Sequence, residues 1–173
     1  MKKTRNLVFL GLLIAMEITF TRFFAFQTLT IRIGFGFIPL SLTSMFFGPI
    51  IGGIASMLSD IVGMIIAPRG AYFPGFTLSA LLTGVIYGLM LYKKPKTIFR
   101  VALSVLIITL FIDLGLNTLW IYMTTGRAAV VLLMERALKS AVLFPVQVIM
   151  ITAVWNYVGR FVENNFLKSE KTT

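Results

Sequence analysis

The sequence predicts an all-α integral membrane protein, a single bundle of six transmembrane helices with both termini cytoplasmic. Three observations carry this prediction. Of the 173 residues, 58% are hydrophobic, and they fall in runs close to the roughly 20 residues a helix needs to cross a bilayer. Those runs lack the period-2 alternation of barrel strands, so helices are the form in which the backbone satisfies itself in lipid. Basic residues gather beside alternate ends of the runs, as the positive-inside rule requires.

The elements follow in order, and together they make residues 1–173 one membrane domain. The first span is expected at 7–26; no small-residue cleavage site follows it, so it stays as a helix rather than leaving as a signal peptide. The second, 33–47, is short and holds Pro39, which predicts a tilt or kink. Gly48-Pro49 is a tight turn, and the third span runs 49–67. After the loop "PRGAYFP" comes the fourth, 73–92. The basic link "KKPKTIFR" leads to the fifth, 101–123, and the sixth is 137–161.

Charge orients these spans. Lys2, Lys3, Arg5, Lys93, Lys94, Lys96, Arg100, Arg160, Lys168 and Lys171 fall on one side, which is then the cytoplasm. Of the sixteen basic residues, Arg22, Arg32, Arg69, Arg127, Arg136 and Lys139 lie in the outer half or the outer loops. Orientation assigns them no purpose, so binding of an anion is the functional alternative.

Composition excludes several classes of chemistry. Cysteine and histidine are both absent, which removes disulfides, thiolate nucleophiles and the usual general base. No catalytic residue, metal site or cofactor is predicted. The net charge of +10 sits beside spans rather than on a soluble face, so nucleic acid is not the expected partner. There is no G-x-x-x-x-G-K-[ST] motif for ATP. Six unrepeated helices are also few for a transporter that alternates access alone.

What is left is a set of polar groups at helical spacing. Arg22, near the outer end of span one, either snorkels to headgroups or faces the bundle and binds an anion. Arg32 and Arg69 come from other segments and could meet it, and a guanidinium fork suits a carboxylate. In the loop after span three, Pro68, Gly70, Pro74 and Gly75 shape the backbone while Tyr72 and Phe73 supply rings. That loop is either an interfacial anchor or a lid over a ligand. Asp113, Asn117 and Trp120 follow i, i+4, i+7 on span five and should share a face, as interhelical glue or as a site. Arg136, Lys139, Leu143 and Gln147 make a stripe on span six. Asp60, in mid-span three, either neutralises an arginine or takes part in binding. Gly11, Ala15 and Thr19 form a small-residue stripe on span one that suits docking of another membrane protein.

The stretches "IRIGFGFIPLSLTSMFFGPIIGGIASMLSDIVG" (31–63) and "PRGAYFPGFTLSALLTGVIYG" (68–88) resemble the substrate-binding S components of energy-coupling factor (ECF) vitamin transporters, most closely the folate-specific ones. The likeness extends over nearly the whole chain from span one to span six. It implies a subunit of an ABC-type transporter in a bacterial plasma membrane that captures vitamin from outside. Such a subunit docks on a transmembrane coupling subunit carrying two ATPases and topples to release its load. It also implies that an A-x-x-x-A pattern in the first helix meets the coupling subunit. Here Ala15 and Thr19 hold its positions, with Gly11 one turn earlier, and threonine replaces the second alanine. Folate fits the residues chemically. Its two carboxylates suit Arg22, Arg32 and Arg69, with Lys139 in reserve. Its rings suit Tyr72, Phe26 and Trp120, with Gly70 and Pro74 shaping the loop. Its pterin edge suits Asn117, Asp113 or Asp60.

Three rival readings are open at this point: an S component for another anionic vitamin such as pantothenate, an intramembrane aspartyl protease using Asp60 and Asp113, and a small ion-coupled transporter that needs no partner. A further tension concerns span one, where Gly11, Ala15, Thr19, Arg22 and Phe26 fall on nearly one stripe. A partner and a ligand cannot both occupy the same face, so an inner half for docking and an outer half for the cavity is the expected division.

Overall fold

The computed structural model describes residues 2–27, 32–68 and 72–162, and among these the chain is helical apart from one minimal ladder. Helix α1 is Lys2–Arg22. Strands β1 (Phe26–Gln27) and β2 (Arg32–Ile33) pair antiparallel, Phe26 opposite Ile33 and Gln27 opposite Arg32. Then come α2 (Phe37–Phe47), α3 (Pro49–Ile66) and α4 (Pro74–Leu91). Two long helices finish the bundle, α5 (Ile98–Thr125) and α6 (Ala129–Gly159), the latter continued by Arg160–Val162. All but α2 are long and apolar enough to cross a membrane.

The boundaries have local causes. Gly48 adopts φ +89°, ending α2 with its N–H on the Ser44 carbonyl, and Pro49 opens α3 where no amide donor is needed. Pro74 opens α4 in the same way after an extended Phe73. The Thr97 hydroxyl accepts the Arg100 N–H at the start of α5. Gly126, at φ +67°, caps the end of α5 with its N–H on Tyr122.

Three local expectations change. The second helix starts at Phe37 rather than 33, because Arg32–Ile33 is extended in the ladder. Short apolar runs do not distinguish strand from helix. Gly34 and Gly36 let the loop that follows lie on the end of α1, where added Cβ atoms would meet Ala25 and Thr21. Pro39 falls in the first turn of α2, so it starts the helix instead of kinking it. Finally, α6 begins at Ala129, so the stretch read as an outer loop is a tight turn around Gly126.

Helix α2 has 11 residues, about 16 Å at 1.5 Å per residue, roughly half the hydrocarbon thickness. It is tolerated because protein surrounds it: the run from Pro39 to Met45 is buried. Helices α3 and α4 pair through glycines. A Cβ at Gly84 would fall 2.5 Å from the Gly52 carbonyl oxygen, and one at Gly88 would collide with Pro49. The buried hydroxyls of Thr43 and Ser56 avoid an unpaired state by bonding back one turn, to Pro39 and Gly52. The apolar core, including Tyr87, Leu91, Val101, Val105 and Trp155, fills the end of the bundle near the α4–α5 link. There Lys96 Nζ stands 4.3 Å above the Trp155 ring.

Candidate functional site

Beyond that core lies a polar cavity of about 200 Å³ to which every helix contributes. Helix α1 supplies Glu17 and Thr21, α2 Phe37 and Leu40, and α3 Ser56, Ser59 and Asp60. Ala80, Thr83 and Tyr87 come from α4, Ile108 and Asp113 from α5, and Gln147 from α6. Closer to the loop between α3 and α4, Ile61, Met64, Ile65, Pro68 and Tyr72 line an open apolar groove of about 390 Å³.

The two intramembrane aspartates each meet an arginine. Arg22, with 3% of its side chain exposed, reaches from the last turn of α1 to Asp60 on α3, Nη2 lying 3.0 Å from Oδ1 and donating also to the Asp60 carbonyl at 3.1 Å. Its other terminal nitrogen contacts Met64 Sδ at 3.1 Å. The second oxygen of Asp60 accepts from the Thr77 hydroxyl at 2.8 Å, and the Tyr72 hydroxyl lies 3.1 Å from Thr77. Thr77 has one proton, so with it on Asp60 the Tyr72 hydroxyl donates to Thr77. A relay Arg22–Asp60–Thr77–Tyr72 therefore joins α1, α3, α4 and the loop between α3 and α4. It stands between the polar cavity and the open groove.

Asp113 belongs to the second pair. Ile108–Leu116 is wound as a π-helix, with the Asn117 N–H on the Ile112 carbonyl five residues back. Asn117 Nδ2 donates to Asp113 Oδ1 at 3.2 Å, so these two side chains do adjoin as the spacing predicts. Arg136 of α6 approaches the same carboxylate at 3.7 Å and donates through Nε to the Asp113 carbonyl at 3.2 Å. Trp120 turns towards α4: its Nε1–H donates to Ser79 Oγ at 3.1 Å, its ring is 5.6 Å from that of Phe73, and Gly75 leaves room for it. Among the described residues no cluster of three metal-ligating His, Cys, Asp or Glu side chains forms. A protease dyad shares a proton between its two carboxyls, whereas here each aspartate is held by its own arginine.

The remaining candidates fall as follows. Tyr72 is about half exposed, and Pro74 is the first residue of α4. Lys139 is half-buried on α6. Phe26 and Arg32 are placed by their backbones in the ladder. Arg69 and Gly70 lie outside the described residues. On α1 the single stripe is divided along its length. Gly11, Ala15 and Thr19 are exposed, and a Cβ added at Gly11 would touch nothing within 4 Å. Arg22, one turn on, is covered because α3 crosses there, with Gly63 so close that an added Cβ would lie 2.5 Å from Arg22 Nε.

Glu17 is the principal residue that sequence reasoning misses. It is 4% exposed, it lines the cavity, and its Oε2 accepts from Ser59 Oγ at 3.1 Å. A carboxylate in the middle of an apolar span is itself a signal. Ser59, Thr77, Ser79 and Thr83 carry no such mark, since small hydroxyls are common on every face of membrane helices.

Comparison with known proteins agrees with this architecture. The profile of the family described as "ECF transporter, substrate-specific component" matches residues 5–161. A protein named folate transporter FolT from Clostridium novyi (strain NT) is 48% identical over 160 residues, 92% of this chain and 93% of that one. A protein of the same name from Leuconostoc mesenteroides subsp. mesenteroides is 30% identical over 151 residues, 84% of this chain and 81% of that one. A crystal structure described as FolT bound with folic acid aligns with a TM-score of 0.85 and 41% identity, covering 88% of this chain and 93% of that one.

Proposed function

The chain belongs to the family of ECF transporter substrate-specific components, and on that premise we propose that it captures folate for ATP-driven uptake. The observation that carries this reading is the likeness, at 41% identity and a TM-score of 0.85, to the crystal structure of FolT bound with folic acid.

The chemistry of the cavity supports it. A volume of about 200 Å³ is below the range of sites that enclose a whole drug-sized molecule. It suits the flat bicyclic head of a folate, with carboxylate, amide and hydroxyl groups to meet the donors and acceptors of the pterin edge. The remainder of the molecule extends towards the groove beside Tyr72 and the loop that carries Arg69. Arg22, Arg32 and Arg69 supply positive charge for the two carboxylates of the glutamate, with Lys139 as a further cation. Tyr72, Phe26, Trp120, Gly70 and Pro74 shape the surrounding wall.

Residues 1–173 act as one membrane domain with six traverses, α2 being the short one. The positive-inside rule puts Lys2, Lys3, Arg5 and the basic α4–α5 link in the cytoplasm, and with them both termini. The membrane is the plasma membrane of a bacterium, as the source organisms of the relatives suggest. The exposed stripe Gly11, Ala15 and Thr19 docks the transmembrane coupling subunit, which brings two ATPases.

The decisive measurement is titration calorimetry of purified protein with folate, preceded by mass spectrometry of small molecules that copurify. Tight stoichiometric binding is expected, and its absence would overturn the reading. Reconstituted uptake should require the coupling subunit and ATPases. Robust uptake by this chain alone would count against the component role.

A further inference from the structure

We propose that Arg136 is a positioning residue for ligand recognition, locking the π-helical turn of α5 so that the Asp113 carboxylate, held by the Asn117 amide, is presented to the ligand. This rests on the folate-binding reading above and takes Asp113 as a group that meets the pterin edge.

The argument begins with the winding of α5. A π turn moves each backbone hydrogen bond from the fourth residue to the fifth, and an isolated stretch of it is less favourable than an α-helix, persisting where other contacts hold it. In α5 it persists for nine residues, 108–116, and Asp113 lies inside it. The Asn117 N–H, which α-helical winding would send to the Asp113 carbonyl, goes instead to Ile112. Side chains take up the Asp113 carbonyl: Arg136 Nε donates to it at 3.2 Å and the Thr118 hydroxyl at 3.3 Å. The same guanidinium stands 3.7 Å from the Asp113 carboxylate. One arginine on a neighbouring helix therefore grips both the backbone and the side chain of a single residue.

That grip is the geometry of a clamp rather than of a ligand contact. Arg136 is 6% exposed, whereas Asp113 belongs to the cavity wall. Asp113 Oδ1 also accepts from Asn117 Nδ2 at 3.2 Å, which fixes the orientation of the amide. If the turn relaxed to α-helical winding, Asp113 would rotate about the helix axis and its carboxylate would leave the position that the cavity now gives it. Lysine preserves the charge but has one nitrogen at the end of a flexible stem, so it cannot hold carbonyl and carboxylate together as the planar fork does.

The test compares affinities for folate and for its 2,4-diamino analogue, which changes the donor and acceptor pattern on the pterin edge, by calorimetry on purified unsubstituted protein, Arg136→Lys and Thr118→Val. The unsubstituted protein should discriminate between the two ligands. Arg136→Lys should weaken folate binding about tenfold or more and bring the two affinities closer together. Thr118→Val, which removes only one of the two side-chain donors to the carbonyl, should shift the ratio in the same direction by less. Unfolding temperatures without ligand establish that each variant is folded. Loss of affinity for both ligands by the same factor would mark Arg136 as merely structural and overturn the proposal. So would unchanged binding in the folded variants, or equal affinity of the unsubstituted protein for the two ligands. Failure of the unsubstituted protein to bind folate at all is a different result, which overturns the functional reading instead.

Discussion

The Arg22 guanidinium and the Asp60 carboxylate lie 3.0 Å apart across the α1–α3 contact, 38 residues apart in the chain, and neither is freely exposed. Each removes the reason the other would be intolerable in a membrane helix.

Removing one partner should therefore cost more than removing both. Arg22→Met leaves a largely buried carboxylate without its cation, and about 3–5 kcal/mol of stability should be lost. Arg22→Met with Asp60→Leu should recover most of that loss. Thermal unfolding of the ligand-free protein in detergent reads both, with Asp60→Leu alone completing the cycle; a loss in the double variant equal to the sum of the two single losses would show that the pair contributes nothing as a pair.

Arg69→Ala should weaken folate binding while leaving membrane insertion intact. A hydrogen bond to a charged group contributes about 1.5–3 kcal/mol, so the dissociation constant should rise tenfold to a hundredfold. Calorimetry gives the affinity and membrane fractionation the insertion. Unchanged affinity would return the loop to the role of an interfacial anchor.

Leucine at Gly11 or Ala15 should separate capture from transport. Both positions are exposed on α1, and at Gly11 an added Cβ meets nothing within 4 Å. Folate affinity and unfolding temperature should stay as they are. Reconstituted uptake with the coupling subunit and ATPases should fall sharply, and full uptake would remove this stripe from the docking surface.

Gly84→Ala should be destabilising where Gly11→Ala is not. The Cβ at Gly84 would sit 2.5 Å from the Gly52 oxygen and 2.9 Å from the Gly53 Cα, and backbone cannot yield as a flexible side chain does. Overpacking of this kind costs about 1–3 kcal/mol, against roughly ±0.5 kcal/mol at an open surface position. The unfolding temperatures of the two variants should differ accordingly.

Part of the candidate site was legible because cost in lipid leaves a mark on composition. Arg22, Asp60 and Asp113 stand out in apolar runs, and helical spacing alone brings Asn117 to Asp113. Glu17 carries the same mark, a lone carboxylate in an apolar run. Trp120 departs from its pattern: α-helical spacing places it beside Asn117 and Asp113, but its indole is held by Ser79 and Phe73 on the α4 side. No pattern in "FIDLGLNTLW" announces the wider turn that precedes it.

By itself the sequence determined a helical membrane protein, the Gly48-Pro49 turn and the charges that need partners, since these follow from transfer energies and backbone stereochemistry that act locally. The tertiary structure alone decided which arginine meets which aspartate. It likewise decided that one stripe of α1 is exposed at Gly11 and covered at Arg22, and that the cavity draws on every helix. Those outcomes depend on where helices cross, and a crossing is set by the fit of two surfaces distant in the chain, which neither segment encodes alone.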